Sequence, residues 1–209
     1  MYLRKDEKVI ASEKDVTVTI GSSSTHDAFD IYLVKLTDGN YTLIIFMKIQ
    51  FFFKDGSGGK WISLEKSDFV RKWQLRVKDT WGGRTLKILD SGKTINLEFR
   101  FEAQIGCFMW DHWEITVTKV NKFTTSYVVP SSNQVTLDSR DIQLTLKQGG
   151  ESQYGVTHEF GHMLGLSDEY LSDSPFSKDY KSIMHSGETI FDRHDMPYMQ
   201  WLDKNLPKE

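Results

Sequence analysis

Apolar and polar residues alternate from Asp15 to Ile20, and Phe29 to Leu36 reads as a second strand. Gly21-Ser22-Ser23-Ser24 is a loop between them. Asp38-Gly39-Asn40 signals a turn into Tyr41–Phe53, whose β-branched and aromatic content predicts a long third strand. Residues 55–60 form a flexible, glycine-rich connection. The period then changes. Phe69, Trp73, Val77 and Trp81 recur every fourth residue, which predicts a helix over Ser63–Trp81 with Ser63 or Ser67 as its cap and Gly82-Gly83 as its end.

Alternation returns in Thr85–Leu89 and Lys93–Ile105, joined by a turn at Asp90-Ser91-Gly92. Further strands are expected at Trp113–Val120 and Thr125–Val129, the latter ended by Pro130. Short pieces follow at Val135–Leu137 and Ile142–Leu146, as strands or parts of a loop. A second helix follows Gly149-Gly150, with Ser152 as candidate cap; residues 172–181 read as a loop, and a last helix lies within Asp192–Leu206.

The second helix carries the candidate chemistry. His158-Glu159-Phe160-Gly161-His162 places two imidazoles four residues apart, one turn apart on a single helical face. Val156, Phe160, Met163 and Leu164 fall on the opposite face, which can bury against a sheet while the histidines aim at an ion. Glu159 is poorly placed as a ligand and well placed as a general base. Gly165 suits a left-handed residue at the helix end. The chain can then turn back and deliver Asp168. A catalytic zinc takes three protein ligands and keeps one open position, and His158, His162 and Asp168 supply that number. Glu169, next door, and His194 are the rivals for the third place. His185 and His194 read as structural or substrate-side groups.

Together with Ser182-Ile183-Met184-His185-Ser186-Gly187, this His-Glu-x-x-His-x-x-Gly-x-x-Asp pattern resembles the metzincin zinc metallopeptidases. The aspartate ligand is similar to that of the snapalysin-like members; the Ser-Ile-Met-His wording is closer to astacins. The resemblance implies that Met184 lies in a turn forming a hydrophobic floor under the metal. Astacins carry a tyrosine where this chain has Ser186, so no tyrosine ligand carries over. The run from Asp168 to His194 also resembles metallopeptidase-like domains of bacterial toxins and effectors. The motif-level likeness covers residues 153–195.

The fold class so implied is α+β: a metzincin-like catalytic domain over 41–209, divided into an upper part (41–165) and a small lower part (166–209). It would hold a twisted mixed sheet and two main helices, with residues 1–40 an N-terminal β extension. The clan's edge strand, here Thr125–Val129, borders the cleft and pairs with an extended peptide. The expected activity is zinc-dependent hydrolysis of peptide bonds with Glu159 as base, acting on a peptide or protein substrate. The alternative is a catalytically inactive, zinc-stabilised binding or adhesion module.

Composition narrows the partners. An apolar fraction of 39% with thirteen phenylalanines and six tryptophans describes a packed globular chain. A net charge of −3 gives no electrostatic footprint for nucleic acid or anionic membrane. The longest apolar run, Tyr41–Phe53, is broken by Lys48 and Gln50, so no membrane span is expected. One cysteine, Cys107, precludes an intrachain disulfide. The charged N-terminus lacks the apolar core of a signal peptide, which leaves a cytoplasmic location or export by a dedicated machine. Oligomeric state is not legible.

Overall fold

The strand β3 (Tyr41–Lys54) organises the sheet, and its near-continuous burial is what a strand covered on both faces requires. A computed structural model describes residues 1–88, 92–106 and 110–207. Along one edge of β3 runs β5 (Thr94–Ile105), parallel, from the Thr42–Asn96 pair to Phe51–Ile105. The other edge is shared. Its first half pairs antiparallel with β2 (Ser23–Leu36), and its second half pairs parallel with β6 (Trp113–Thr118). His112 fills the step between them: Lys48 N–H donates to its Nδ1 at 3.0 Å, and its own N–H donates to Lys48 O at 2.9 Å.

Outward from β6 lie β8 (Gln134–Asp138), parallel, and β7 (Tyr127–Val129), antiparallel and last in the order. On the far side β1 (Glu7–Ile20) pairs with β2, and β4 (Thr85–Lys87) pairs with β5. Among the described residues the architecture is α+β: a mixed eight-stranded sheet with three α-helices, plus a two-stranded ribbon of β9 (Leu144–Leu146) and β10 (Ser152–Tyr154). The N-terminal hairpin is continuous with the main sheet through β2 and β3.

Helix α1 (Ser63–Trp81) joins β3 to the β4–β5 pair and buries Phe69, Trp73, Val77 and Trp81, the stripe expected from its period. Helix α2 (Gly155–Met163) packs on α1 through Phe160, which makes edge-on contacts with Trp73, Trp81, Phe99 and Phe101 at centroid distances of 5.3–6.0 Å. Each such contact adds roughly 0.5–1.5 kcal/mol beyond area burial. Trp81 Nε1 also donates to Thr157 O at 2.9 Å, which fixes the rotation of α2. Helix α3 (Met196–Asn205) docks through Tyr198 and Leu202, with Asp195 paired to Arg84. No helix among the described residues is long and apolar enough to cross a membrane.

Several local expectations are corrected. Ile62, not Ser63 or Ser67, occupies the cap of α1, and Glu65 Oε2 accepts the Ile62 N–H at 3.0 Å in place of a hydroxyl cap. Ser152 does not cap the second helix: it pairs with Leu146 in β10, and the helix begins three residues later. Ser23 and Ser24 belong to β2, leaving a turn of Gly21 and Ser22. Leu89, Asp90 and Ser91, to which the sequence assigns a strand end and a turn, and the single cysteine Cys107 lie outside the described residues.

Candidate metal centre

One turn of α2 separates His158 from His162, and their rings stand perpendicular with centroids 5.0 Å apart. Their helix ends at Met163 because Gly165 takes a left-handed conformation, φ +97°. A side chain there would be strained and would also meet Val18, whose Cβ lies 2.8 Å from the position of an added Cβ. The turn brings Asp168 round. Its Oδ1 lies 3.2 Å from His158 Nε2 and 3.3 Å from His162 Nε2.

The hydrogen bonds of these rings decide what they face. His158 Nδ1 donates to Ile183 O at 2.8 Å, and His162 Nδ1 donates to Leu166 O at 2.7 Å. A carbonyl only accepts, so each Nδ1 carries a proton and each ring turns its Nε2 toward Asp168. Asp168 Oδ1 is buried and has no hydrogen-bond partner among the described residues. Two Nε2 atoms and one carboxylate oxygen thus converge on one point, where a divalent cation would replace any proton held between them. Two nitrogens and one carboxylate oxygen suit zinc. The group therefore fits the ion expected from the sequence. Burial opposes ionisation of Asp168, but the two histidines hold its carboxyl well below the usual range. Burial likewise disfavours the charged form of His162, and Asp168 and Glu159 outweigh it to raise the ring above its ordinary value.

A second acidic and imidazole group, Asp15, Asp30 and His112, is built differently. There Nδ1 of His112 accepts the Lys48 N–H, so its Nε2 carries the proton and faces Asp30 Oδ1 at 3.5 Å. Asp30 also accepts from Asp15 N–H and Tyr32 OH. This is a satisfied His–Asp pair. The rivals for the third ligand are likewise committed elsewhere. Glu169 takes two hydrogen bonds from Arg193, at 2.7 and 2.9 Å, and faces His194 Nε2 at 3.1 Å. Although burial opposes it, these partners lower its carboxyl to about 2.

Met184 is fully buried against the helix backbone at Gly161, where an added Cβ would overlap its Sδ. The loop that holds it is bound to the start of α2 by residues the sequence did not single out. Gln153 Nε2 donates to Ile183 O and Gly187 O, each at 2.8 Å. Glu188 Oε1 accepts from Tyr154 N–H and Thr157 Oγ1, each at 2.7 Å. The same loop thus supplies the methionine and the carbonyl that orients His158. His185 packs outside the ligand set, with Nδ1 2.8 Å from Ser186 Oγ.

Glu159 is 7% exposed and its Oε2 has no hydrogen-bond partner among the described residues. Burial raises its pKa, the direction that suits a proton acceptor working near neutrality. Two cavities meet at this carboxylate, one of about 660 Å³ and one of about 310 Å³; His158, Ser126 and Tyr170 line both. Tyr170 lies over the centre, its ring 6.4 Å from that of His158 at 20°; burial first, then Asp168, pushes its phenol up to about 12. Asp141, in the larger cavity, is pushed up to about 7, mainly by burial. The segment just before β7, Phe123 to Ser126, lines the larger cavity, and Tyr127 and Val128 of β7 line the smaller. Gln153, Glu188, Asp141 and Tyr170 carry no spacing signal, because they meet the centre only through the fold. Neither a family model nor a curated protein matches the chain.

Proposed function

We propose that the chain is a zinc-dependent endopeptidase of metzincin type, with Glu159 as general base and His158, His162 and Asp168 as the metal ligands. The observation that carries this reading is the convergence of three candidate ligand atoms beside a buried carboxylate that has no hydrogen-bond partner among the described residues. The edge position of β7 along the same cleft, and the methionine packed under the helix, support it further.

Zinc held by the three ligands supplies Lewis acidity to a substrate carbonyl and to the attacking water. The extended substrate would lie along β7, the last strand in the sheet order, by strand addition. Glu159 Oε2, free of other partners, takes the proton from water as it attacks and delivers it to the leaving nitrogen. Ile183 O and Leu166 O hold the two imidazoles in the required tautomer throughout. An amide is the fitting substrate because its leaving group needs that returned proton.

The test measures bound zinc and cleavage of an unfolded protein substrate for wild type and Glu159→Gln. Equal zinc with cleavage reduced by roughly 10²–10⁴-fold is expected. Equal cleavage by both proteins, or wild type that binds no zinc, overturns the reading. Zinc binding without turnover by wild type would assign the chain to the inactive binding class.

A further inference from the structure

The N-terminal hairpin does more than extend the sheet. Its pairing shifts between Val16–Phe29 and Val18–Thr25, so three residues of β2 face one of β1. Asp27, inside the shift, has φ +56°, and Asp15 on the opposite strand has φ +55°. Bulges of this kind bend and twist a strand pair. The proximal half stays in the sheet, and the distal half reaches the metal centre.

The distal half is held there by contacts outside the β1–β2 ladder. Val18 packs on Gly165. Thr25 Oγ1 donates to Pro130 O at 2.9 Å, just past the end of β7. Asn133 Nδ2 donates to His26 O at 2.6 Å, and Trp113 Nε1 donates to Ala28 O at 2.8 Å. Ile20 and Ser23, the pair flanking the tip, thereby line the 310 Å³ cavity together with His158, Glu159, His162 and Asp168.

Resting on the peptidase reading above, we propose that this hairpin tip is a substrate-binding wall, and that Ile20 selects an uncharged, aliphatic side chain on the Pro130 side of the scissile bond. The chemistry of the lining favours that class. Apart from His158, Glu159, His162 and Asp168, the cavity is bounded by Ile20, Ser23, Ser126, Tyr127, Val128, Pro130 and Tyr170, none of them charged. A charged side chain held against the Ile20 and Pro130 wall, away from the metal centre, loses hydration and meets no group of opposite charge there. The larger cavity on the other side of Glu159 differs, because Lys147 and Asp141 line it. At about 310 Å³ the smaller one sits at the low end of ligand-site volumes, roughly 300–1,000 Å³. It suits one side chain and its main chain.

The experiment profiles cleavage sites in a random peptide library with the zinc-loaded full chain, as wild type, Ile20→Lys and Ser23→Glu. Binding of a cleaved sequence to the same proteins carrying Glu159→Ala is measured by fluorescence anisotropy. Wild type is expected to enrich aliphatic residues at one position on one side of the cut. Ile20→Lys should shift that position toward acidic residues and Ser23→Glu toward basic ones. Each shift should be about tenfold, in cleavage and in binding, with zinc content and the preference across the bond unchanged. Identical profiles for all three proteins overturn the inference and leave the peptidase reading standing. Zinc-loaded wild type that cleaves nothing removes both.

Discussion

Gly161 and Met184 occupy one another's space: the methionine sulfur sits where a side chain on Gly161 would have to go. The glycine lies in the same helical turn as His162, so the packing of Met184 sets how closely the Met184 loop approaches the ligand-bearing helix. Gly161→Ala should therefore destabilise the protein by about 1–3 kcal/mol through overpacking, despite alanine's better helix propensity. Trp81, 3.1 Å from the added Cβ, leaves no alternative room. Chemical unfolding measures the loss. In the double variant with Met184→Ala, the two costs should fall short of additivity, because the sulfur that the new methyl strikes is gone. Strict additivity would mean that the two residues do not share that space.

Zinc should stabilise the folded chain. At free zinc 100-fold above its Kd, the gain is about 2.7 kcal/mol, and a chelator should remove it. His158→Ala, His162→Ala and Asp168→Ala should each abolish the zinc-dependent rise in Tm. Glu169→Ala should lower Tm by breaking its pairing with Arg193, yet keep the rise. A rise lost in Glu169→Ala and kept in Asp168→Ala would reassign the third ligand.

Asp141 makes a pH signature in the metal-free protein. Its folded pKa, about 7, lies above the ordinary 3.8, so the unfolded chain releases this proton first as pH rises. Stability contributed by the group is present at acid pH and lost between about pH 4 and pH 7. The full loss is at most about 4 kcal/mol. Asp141→Asn still offers an oxygen to Ser126 Oγ and Asp138 N–H but does not titrate. Urea unfolding of chelated protein at pH 4.5 and pH 8 should find the variant gaining on wild type as pH rises. A constant difference between the two pH values would contradict this.

Glu188 should matter by geometry more than by charge. It satisfies two donors at the start of α2, Tyr154 N–H and Thr157 Oγ1, and burial raises its pKa. Glu188→Ala leaves both without this acceptor and should cost about 1–3 kcal/mol. It should also weaken zinc binding roughly tenfold by loosening the turn before His158. Glu188→Gln retains an accepting oxygen and should cost well under half as much. Unfolding and zinc titration on the same samples separate the two effects.

Much of this molecule is legible in one dimension. The four-residue stripe of α1, the alternation of β5 and β6, and the spacing of His158, His162 and Gly165 are local periodicities, and local backbone geometry converts them directly into faces. Where prediction fails, a partner distant in sequence decides. Ser152 lost its capping role to a ribbon with Leu146, and a hydroxyl was not needed at the start of α1 because Glu65 serves Ile62.

The sequence by itself determined that two imidazoles share a helical face, that a glycine bend follows them, and that a carboxylate comes next. Only the tertiary structure decided that Asp168 joins them while Glu169 turns to Arg193, that Ile183 and Leu166 carbonyls orient the two rings, and that the tip of a hairpin begun at residue 7 lines a cavity beside them. The physical reason is range. Periodicity reports backbone geometry within a few residues, whereas ligand identity, tautomer and cleft walls depend on atoms brought together across as many as 150 positions of chain.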